Sequence, residues 1–411
     1  MKVSKELRFI ALLALFAALL SFAKFNHCRN FGWGSPDVYI HMCYSDLSAL
    51  YGARDINQDI WPYSSKENAV EYPVLTGVVM WATGLAINDA NGYRAYFDLN
   101  SLLIALLFIG AAILAWQIRP EFAYLFPVAP AVIGSLYINW DLWAVASALL
   151  AIYLFKKEKL DLSALLLGIS IAIKFFPVVI LFGVGLILKS EKKTQKLIKY
   201  FAITAATWLA FNLPVALTNG TGWWRFFKLN IERGNDLGSF WYAISLLGLT
   251  KSGLGNFSIA LFLLGAIGIS FFYLKVAKNR SSFENFTTIA FLFVALFVTA
   301  SKVYSPQYIL WLTPLAVIAM TKREERSAFW VWQAGEAIYH FAVWQYLASY
   351  SGAKFGLPEK VYAIFILIRI ATLIWFAARL IQTAKEANGR LEGNTQASGT
   401  GFLTDSARGY S

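Results

Sequence analysis

PVLTGVVMWATGLAIN, residues 73–88, decides how this chain is laid out, because its length fits two readings. A helix needs about 20 apolar residues to cross the hydrocarbon core of a bilayer. This run opens on Pro73 and is interrupted by Thr76, Gly77, Thr83 and Gly84, so it is either a short crossing or a helix lying on a surface. The flanking apolar runs, at 7–25, 98–117, 199–217, 257–275, 283–300, 307–320, 327–347 and 359–380, are clearer, and most approach the crossing length. The run 122–155 is too long for one span and breaks at Asn139-Trp140-Asp141. The run 163–188 breaks at Lys174 and Pro177, so each of these two reads as a pair of short helices.

Charge separates the two readings of 73–88. If it does not cross, the segments 118–121, 156–162, 189–199, 275–282 and 321–327 share one side of the membrane with both termini. These places hold most of the 36 Lys and Arg, including KSEKKTQKLIK at 189–199. If it does cross, every later loop changes side and the cytoplasmic excess of positive charge is reversed. The sequence therefore predicts a surface helix at 73–88 and an all-α polytopic membrane protein with about 12 transmembrane helices and both termini in the cytoplasm.

Composition agrees. Hydrophobic residues make up 58% of the 411 and charged residues only 15%, against about 25% charged in a soluble domain. The net charge of +12 does not point to nucleic acid, because the basic residues lie in short clusters between apolar runs rather than in a patch. Segment 7–25 lacks a small-x-small cleavage site and is kept as the first span. The expected division is one transmembrane catalytic domain, 1–380, and a disordered cytoplasmic tail, 381–411, rich in Gly, Ser, Thr and Asn. Two outer loops are long, 26–97 and 218–256, and long structured loops usually carry function. Cys28 and Cys43 both fall in the first, where a disulfide is compatible with an outer location. The three histidines show no metal-ligand spacing, so no metal or cofactor is expected.

Few polar residues remain to carry chemistry. In DVYIHMCYSD, residues 37–46, Asp46 suits a base that takes a proton from a hydroxyl attacking a lipid-anchored substrate. It equally suits a cap, with Ser45, for the helix that starts near Leu47. Glu71-Tyr72-Pro73 opens the surface helix. Asp141 is either a recessed functional acid or a helix cap. Lys174, at the apex of a short helical hairpin, is either a partner for a lipid phosphate or a lysine reaching for the interface. Lys302, followed by Tyr304, Ser305, Pro306 and Gln307, offers a point charge with supporting donors for a phosphate, or is an interfacial anchor. In the second loop, Arg225, Glu232, Arg233 and Asp236 mix charge with aromatics, which suits sugar hydroxyls or internal ion pairs.

The segments CYSDLSALYGAR, VEYPVLTGVVMW, YINWDLWAVA, LLLGISIAIKFFPVVIL, NLPVAL, ERGNDLGSFWY and SKVYSPQYILWLTPL occur in that order. Together they resemble the polyprenyl-phosphate-mannose-dependent mannosyltransferases of actinobacteria, which are C-type (GT-C) multispanning glycosyltransferases. The resemblance runs from about residue 35 to 320 and continues to 380. It implies a GT-C-like bundle in the bacterial plasma membrane with its active site on the outer face. It also implies a polyprenyl-phosphate-sugar donor, a glycolipid or glycan acceptor, and inverting transfer with a loop aspartate as base. Carried onto this chain, that aspartate is Asp46. Lys174 and Lys302 are the lysines of the IAIKFFP and KVYSPQ segments, Glu71 and Tyr72 match the segment that opens the surface helix, and Asp141, Glu232, Arg233, Tyr304 and Gln307 are further candidates for binding substrate. A transporter or lipid flippase is the rival class. Such proteins often carry two related halves, whereas broken spans occur here only in the first half. An oligosaccharide polymerase or ligase would use the same leaving group.

Overall fold

The computed structural model describes residues 5–64, 68–87, 92–249, 257–276 and 281–400, and its regular elements are helices. Six are long and apolar enough to cross a membrane: Lys5–Lys24, Gly92–Ile118, Thr194–Thr218, Ser258–Lys275, Ser282–Ala300 and Glu359–Glu386. Their outward faces have no protein partner, since only 11% of the window in Ser258–Lys275 and 28% of that in Lys5–Lys24 is buried. Leu12, Phe16, Leu102, Leu106, Ile259 and Leu264 are each more than half exposed. In water these alone would forfeit on the order of 10 kcal/mol, comparable to the 5–15 kcal/mol that holds a typical fold together. Lipid is the solvent those faces fit, and the chain is a membrane protein.

The interrupted runs fold as short helices. Run 122–155 becomes Leu125–Val128, Pro130–Ser135 and Asp141–Lys156, broken by the turn that carries Asn139. Run 163–188 becomes Leu160–Ile173, a 3-10 turn at Phe176–Val179, and Ile180–Ser190. Helices Asp141–Lys156 and Leu160–Ile173 lie antiparallel and are pinned by polar side chains. The Ser163 hydroxyl donates to Ala151 O (2.8 Å) and the Ser170 hydroxyl to Ala144 O (2.7 Å). The stretch 73–88 forms the helix Val74–Leu85. At 12 residues it is about 18 Å long, against about 30 Å of hydrocarbon. Thr76 ties it to Ile173 O, the end of the Leu160–Ile173 helix, at 2.6 Å.

The described parts of the two long loops, 26–97 and 218–256, pack on each other. Cys28 and Cys43 form a disulfide, and Arg54 pairs with Glu71 through two bonds of 2.6 and 3.0 Å. The second loop contains the helices Gly220–Glu232 and Phe240–Leu246. Its Asn219 side chain donates to Tyr63 O and Ser64 O (2.6 and 2.8 Å), while Trp223 packs beside Tyr63 and Trp61. Gly222 is required at that junction, because a Cβ there would stand 2.2 Å from Tyr63 O. The last helix runs from Glu359 to Thr400. Residues 401–411 lie outside the described part.

The side of each loop is testable by labelling. Both cysteines are in the disulfide, so the native background carries no free thiol. Single cysteines at Lys157 and Lys196 should be shielded from an impermeant thiol reagent in intact cells, and one at Lys354 should be labelled. Labelling at Lys157 with protection at Lys354 would invert the layout.

Candidate active site

Asp46 is the first residue of the helix Asp46–Ala53, and Ser45 is its cap, accepting from Leu47 N at 3.2 Å. Capping is thus done by Ser45, and the Asp46 carboxylate is left to two phenols. Tyr44 donates to Oδ1 (2.9 Å) and Tyr72 to Oδ2 (2.8 Å). Burial pushes the Asp46 carboxyl above its ordinary value, opposed by the Tyr72 and Tyr44 hydroxyls and by the charge of Lys174. The result is a half-buried carboxylate of increased proton affinity, fixed in direction.

Asp46 opens onto a cavity of about 570 Å³, within the size range of small-molecule sites. Glu71, Tyr72, Lys174, Arg233, Lys302 and Gln307 line it as well, although they come from four separate stretches of chain. Its remaining wall is largely apolar, with Phe175, Phe176, Phe226, Phe227, Phe297 and Trp311 among its residues. Leu229, Ile231 and Ile259 line the cavity and also contribute to the exposed apolar surface, so its mouth continues into the face that meets lipid.

Lys174 follows the last residue of the helix Leu160–Ile173. Its ammonium sits 2.6 Å from Asp141 Oδ1 and 4.3 Å from the centre of the Tyr72 ring. Asp141 is buried and begins its own helix without capping it. Its second oxygen accepts from the Trp311 indole at 2.7 Å. The recessed Lys174 therefore has an anion supplied by the protein itself. Asp141 lies behind Lys174 rather than on the cavity wall.

The segments around 233 and 302 form one wall. Asp236 N donates to Lys302 O (2.8 Å) and Tyr304 N to Leu237 O (3.3 Å), while the Arg233 side chain is bonded to Asp236. The Lys302 ammonium reaches the carbonyls of Arg233 and Ile231 at 3.3 and 3.4 Å.

Like Asp141, the sequence candidates Arg225, Asp236, Glu232 and Tyr304 do not line the cavity. Glu232 ends an amphipathic helix on its exposed side. Tyr304 is fully buried and turned away, donating to Glu336 Oε1 at 2.7 Å. Its partners, Glu336 and Arg369, were not singled out from the sequence. Arg369 bonds Glu336 through Nε (2.7 Å), Tyr304 O (2.6 Å) and Ser305 O (3.1 Å), clamping the backbone of the loop that carries Lys302 and Gln307. The available signal was an acid and an arginine inside apolar runs, at 327–347 and 359–380.

No protein-family model and no curated protein matches the sequence. Among solved structures, the chain is similar to the crystal structure of ArnT from Cupriavidus metallidurans bound to undecaprenyl phosphate. The two are 12% identical with a TM-score of 0.47, over 92% of this chain and 78% of that one.

Breaking the Lys174–Asp141 pair has a defined signature. Asp141→Asn strands a buried ammonium and should lower stability by about 3–5 kcal/mol, whereas the double change Asp141→Asn, Lys174→Met should recover most of that loss. Thermal or denaturant unfolding in detergent measures both. Equal stability of the single and double variants would show that the pair is uncoupled.

Proposed function

We propose that this protein is a membrane glycosyltransferase. It moves a hexose, mannose by its resemblance, from a polyprenyl-phosphate donor to a hydroxyl of a lipid-linked or cell-envelope glycan on the outer face of a bacterial plasma membrane. One observation carries the reading: a fixed carboxylate, Asp46, faces the same cavity as Lys174, Arg233 and Lys302, and that cavity is walled by aromatics and continuous with lipid-facing apolar surface.

The chemistry follows from those groups. The acceptor oxygen attacks the anomeric carbon from the face opposite the phosphate, and its proton passes to the Asp46 carboxylate. The bond from carbon to phosphate oxygen breaks, and the electron pair leaves with the polyprenyl phosphate. Lys174, Arg233 and Lys302 offset the charge that grows there. Lys174 keeps donors to spare, since a lysine ammonium has three and Asp141 takes one. Glu71 is neutralised by Arg54, so it positions the 71–73 turn and leaves proton transfer to Asp46. The direct test incubates membranes with radiolabelled polyprenyl-phosphate-mannose. Label in a new glycolipid supports transfer, and donor that is only moved between leaflets supports the flippase reading.

Asp46→Asn should lower transfer by about 10²–10⁴-fold while the protein stays folded and inserted, because Ser45 retains the cap. In the wild type the acid limb of the pH profile should lie above the ordinary aspartate value of 3.8, with activity lost as pH falls and Asp46 gains its proton. Tyr72→Phe removes a bond that stabilises the charged form, so it should move that limb to still higher pH. An unmoved limb, or more than about a tenth of the activity in Asp46→Asn, removes Asp46 as the base.

Lys302→Ala should lower catalytic efficiency about 10–150-fold, the equivalent of one charge-assisted hydrogen bond. Lys302→Arg should recover part of that loss, and Lys354→Ala, at an exposed lysine outside the cavity, should have no effect. Equal losses at 302 and 354 would mark both lysines as generic anchors.

A further inference from the structure

Two of the chain's three histidines meet at one carboxylate in the first outer loop, outside the cavity. His27 Nε2 lies 2.7 Å from Asp37 Oδ2, and His41 Nε2 lies 3.3 Å from Asp37 Oδ1. The two imidazole rings face each other with centroids 3.5 Å apart. One ligand atom from each residue falls within 4.8 Å of the others, and among the described residues this is the cluster of such groups that fits a metal ion. The sequence spacing of the histidines gave no sign of this convergence, which arises from the fold.

We infer that His27, Asp37 and His41 form a binding site for a divalent transition ion, with zinc the best match. Zinc takes imidazole nitrogen and carboxylate oxygen at about 2.0–2.2 Å in tetrahedral array, which places neighbouring ligand atoms about 3.3 Å apart. The two imidazoles meet different oxygens of Asp37, at 2.7 and 3.3 Å, and one ligand atom from each residue lies within 4.8 Å of the others, so side-chain rotation that brings both nitrogens and one oxygen to that spacing completes the geometry. Two imidazoles and one carboxylate leave a fourth position for water, as in zinc sites with three protein ligands. The nitrogens disfavour calcium and magnesium, which are bound through oxygen. Side-chain exposures of 31% for His27, 46% for Asp37 and 40% for His41 give an ion direct access from solvent.

The disulfide prepares the site. Cys28 adjoins His27, Cys43 is two residues beyond His41, and their bond closes the intervening loop. Asp37 and His41 are then held one helical turn apart by Asp37–Ile40. Ordering the loop before the ion arrives lowers the conformational cost of binding. By linkage, opening the disulfide must weaken the ion's affinity. The same stretch of chain continues through Tyr44 to Asp46, so the ion would brace the arm that presents the carboxylate.

The test is zinc titration of the full-length, disulfide-intact protein in nanodiscs by calorimetry, with X-ray absorption at the zinc edge on the wild type. One equivalent should bind, and it should raise the thermal midpoint in a way that a chelator reverses. His41→Gln and His27→Gln should each weaken binding by more than the about 10–100-fold that loss of a ligand's hydrogen-bond partner costs. The absorption spectrum should show two imidazole nitrogens at about 2.0 Å, a readout that does not depend on whether a variant folds. Less than one equivalent of zinc, unaltered binding in the variants, or a zinc shell without imidazole would overturn the assignment and leave a hydrogen-bonded His–Asp–His array.

Discussion

The Lys174–Asp141 ion pair determines where two antiparallel helices end, and the cavity is built on that end. Asp141 opens the helix Asp141–Lys156, and Lys174 follows the close of Leu160–Ile173. A carboxylate at a helix start and an ammonium at a helix end each complement the helix dipole, by about 0.3–1 kcal/mol when exposed and up to about 2 when partly buried. Removing each ion from water costs several kcal/mol, so the pair needs further partners. Trp311 supplies a hydrogen bond to Asp141, and the face of Tyr72 supplies a surface for the ammonium. Tyr72 then donates to Asp46. The candidate base and the candidate phosphate-binding lysine are thus linked through one phenol, which makes the electrostatics of either dependent on the other.

Much of this was legible in the sequence, because bilayer length and loop charge constrain a membrane chain more tightly than a soluble one. The breaks at Asn139 and Lys174 mark the short helices, and Lys174, at the second, lines the cavity with Asp141 behind it. Asp46, Glu71, Tyr72, Arg233, Lys302 and Gln307 all face one cavity. Roles were harder to read than places. Asp46 next to Ser45 looks like a cap from spacing alone, and only the bond from Leu47 N to the serine separates the two. Tyr304, in irregular backbone, and Glu232, at the end of a helix, do not line the cavity although their segments do, because the order of residues does not fix where the side chains at such positions point. The histidine cluster was hidden for a related reason: His27 and His41 are distant in sequence, and the Cys28–Cys43 disulfide brings them together.

Glu336 and Arg369 show a different use of buried charge. Both side chains are almost fully buried, so their charge is not available to a substrate. Arg369 spends its rigid fork of donors on one carboxylate and two backbone carbonyls. Backbone around Ser305 belongs to no long helix, and carbonyls left unpaired in an apolar bundle cost several kcal/mol each. The arginine satisfies them, and Tyr304 locks the same loop from its other side through Glu336. Gly238 completes the junction, with φ of +75° and room for no Cβ, which would stand 2.0 Å from Tyr304 O.

Both buried pairs therefore hold irregular chain at a fixed place, and in both cases the chain so held carries a cation to the cavity. That arrangement suits chemistry in which the protein supplies field and position. A lysine on a mobile loop must be ordered when substrate binds, and ordering a long side chain costs up to about 2 kcal/mol. A lysine on a loop already clamped from behind has the backbone's share of ordering met during folding and adds only its side chain's, so more of its interaction reaches the transition state. On the proposed reading the donor's chain stays in lipid against Ile231 and Ile259 while its phosphate enters between Lys174 and Lys302. The cations then meet an anion that arrives with little water, where a charge-assisted bond is strongest. On that same reading, cations at clamped helix ends beside the lipid-facing mouth reconcile an apolar substrate tail with an ionic leaving group.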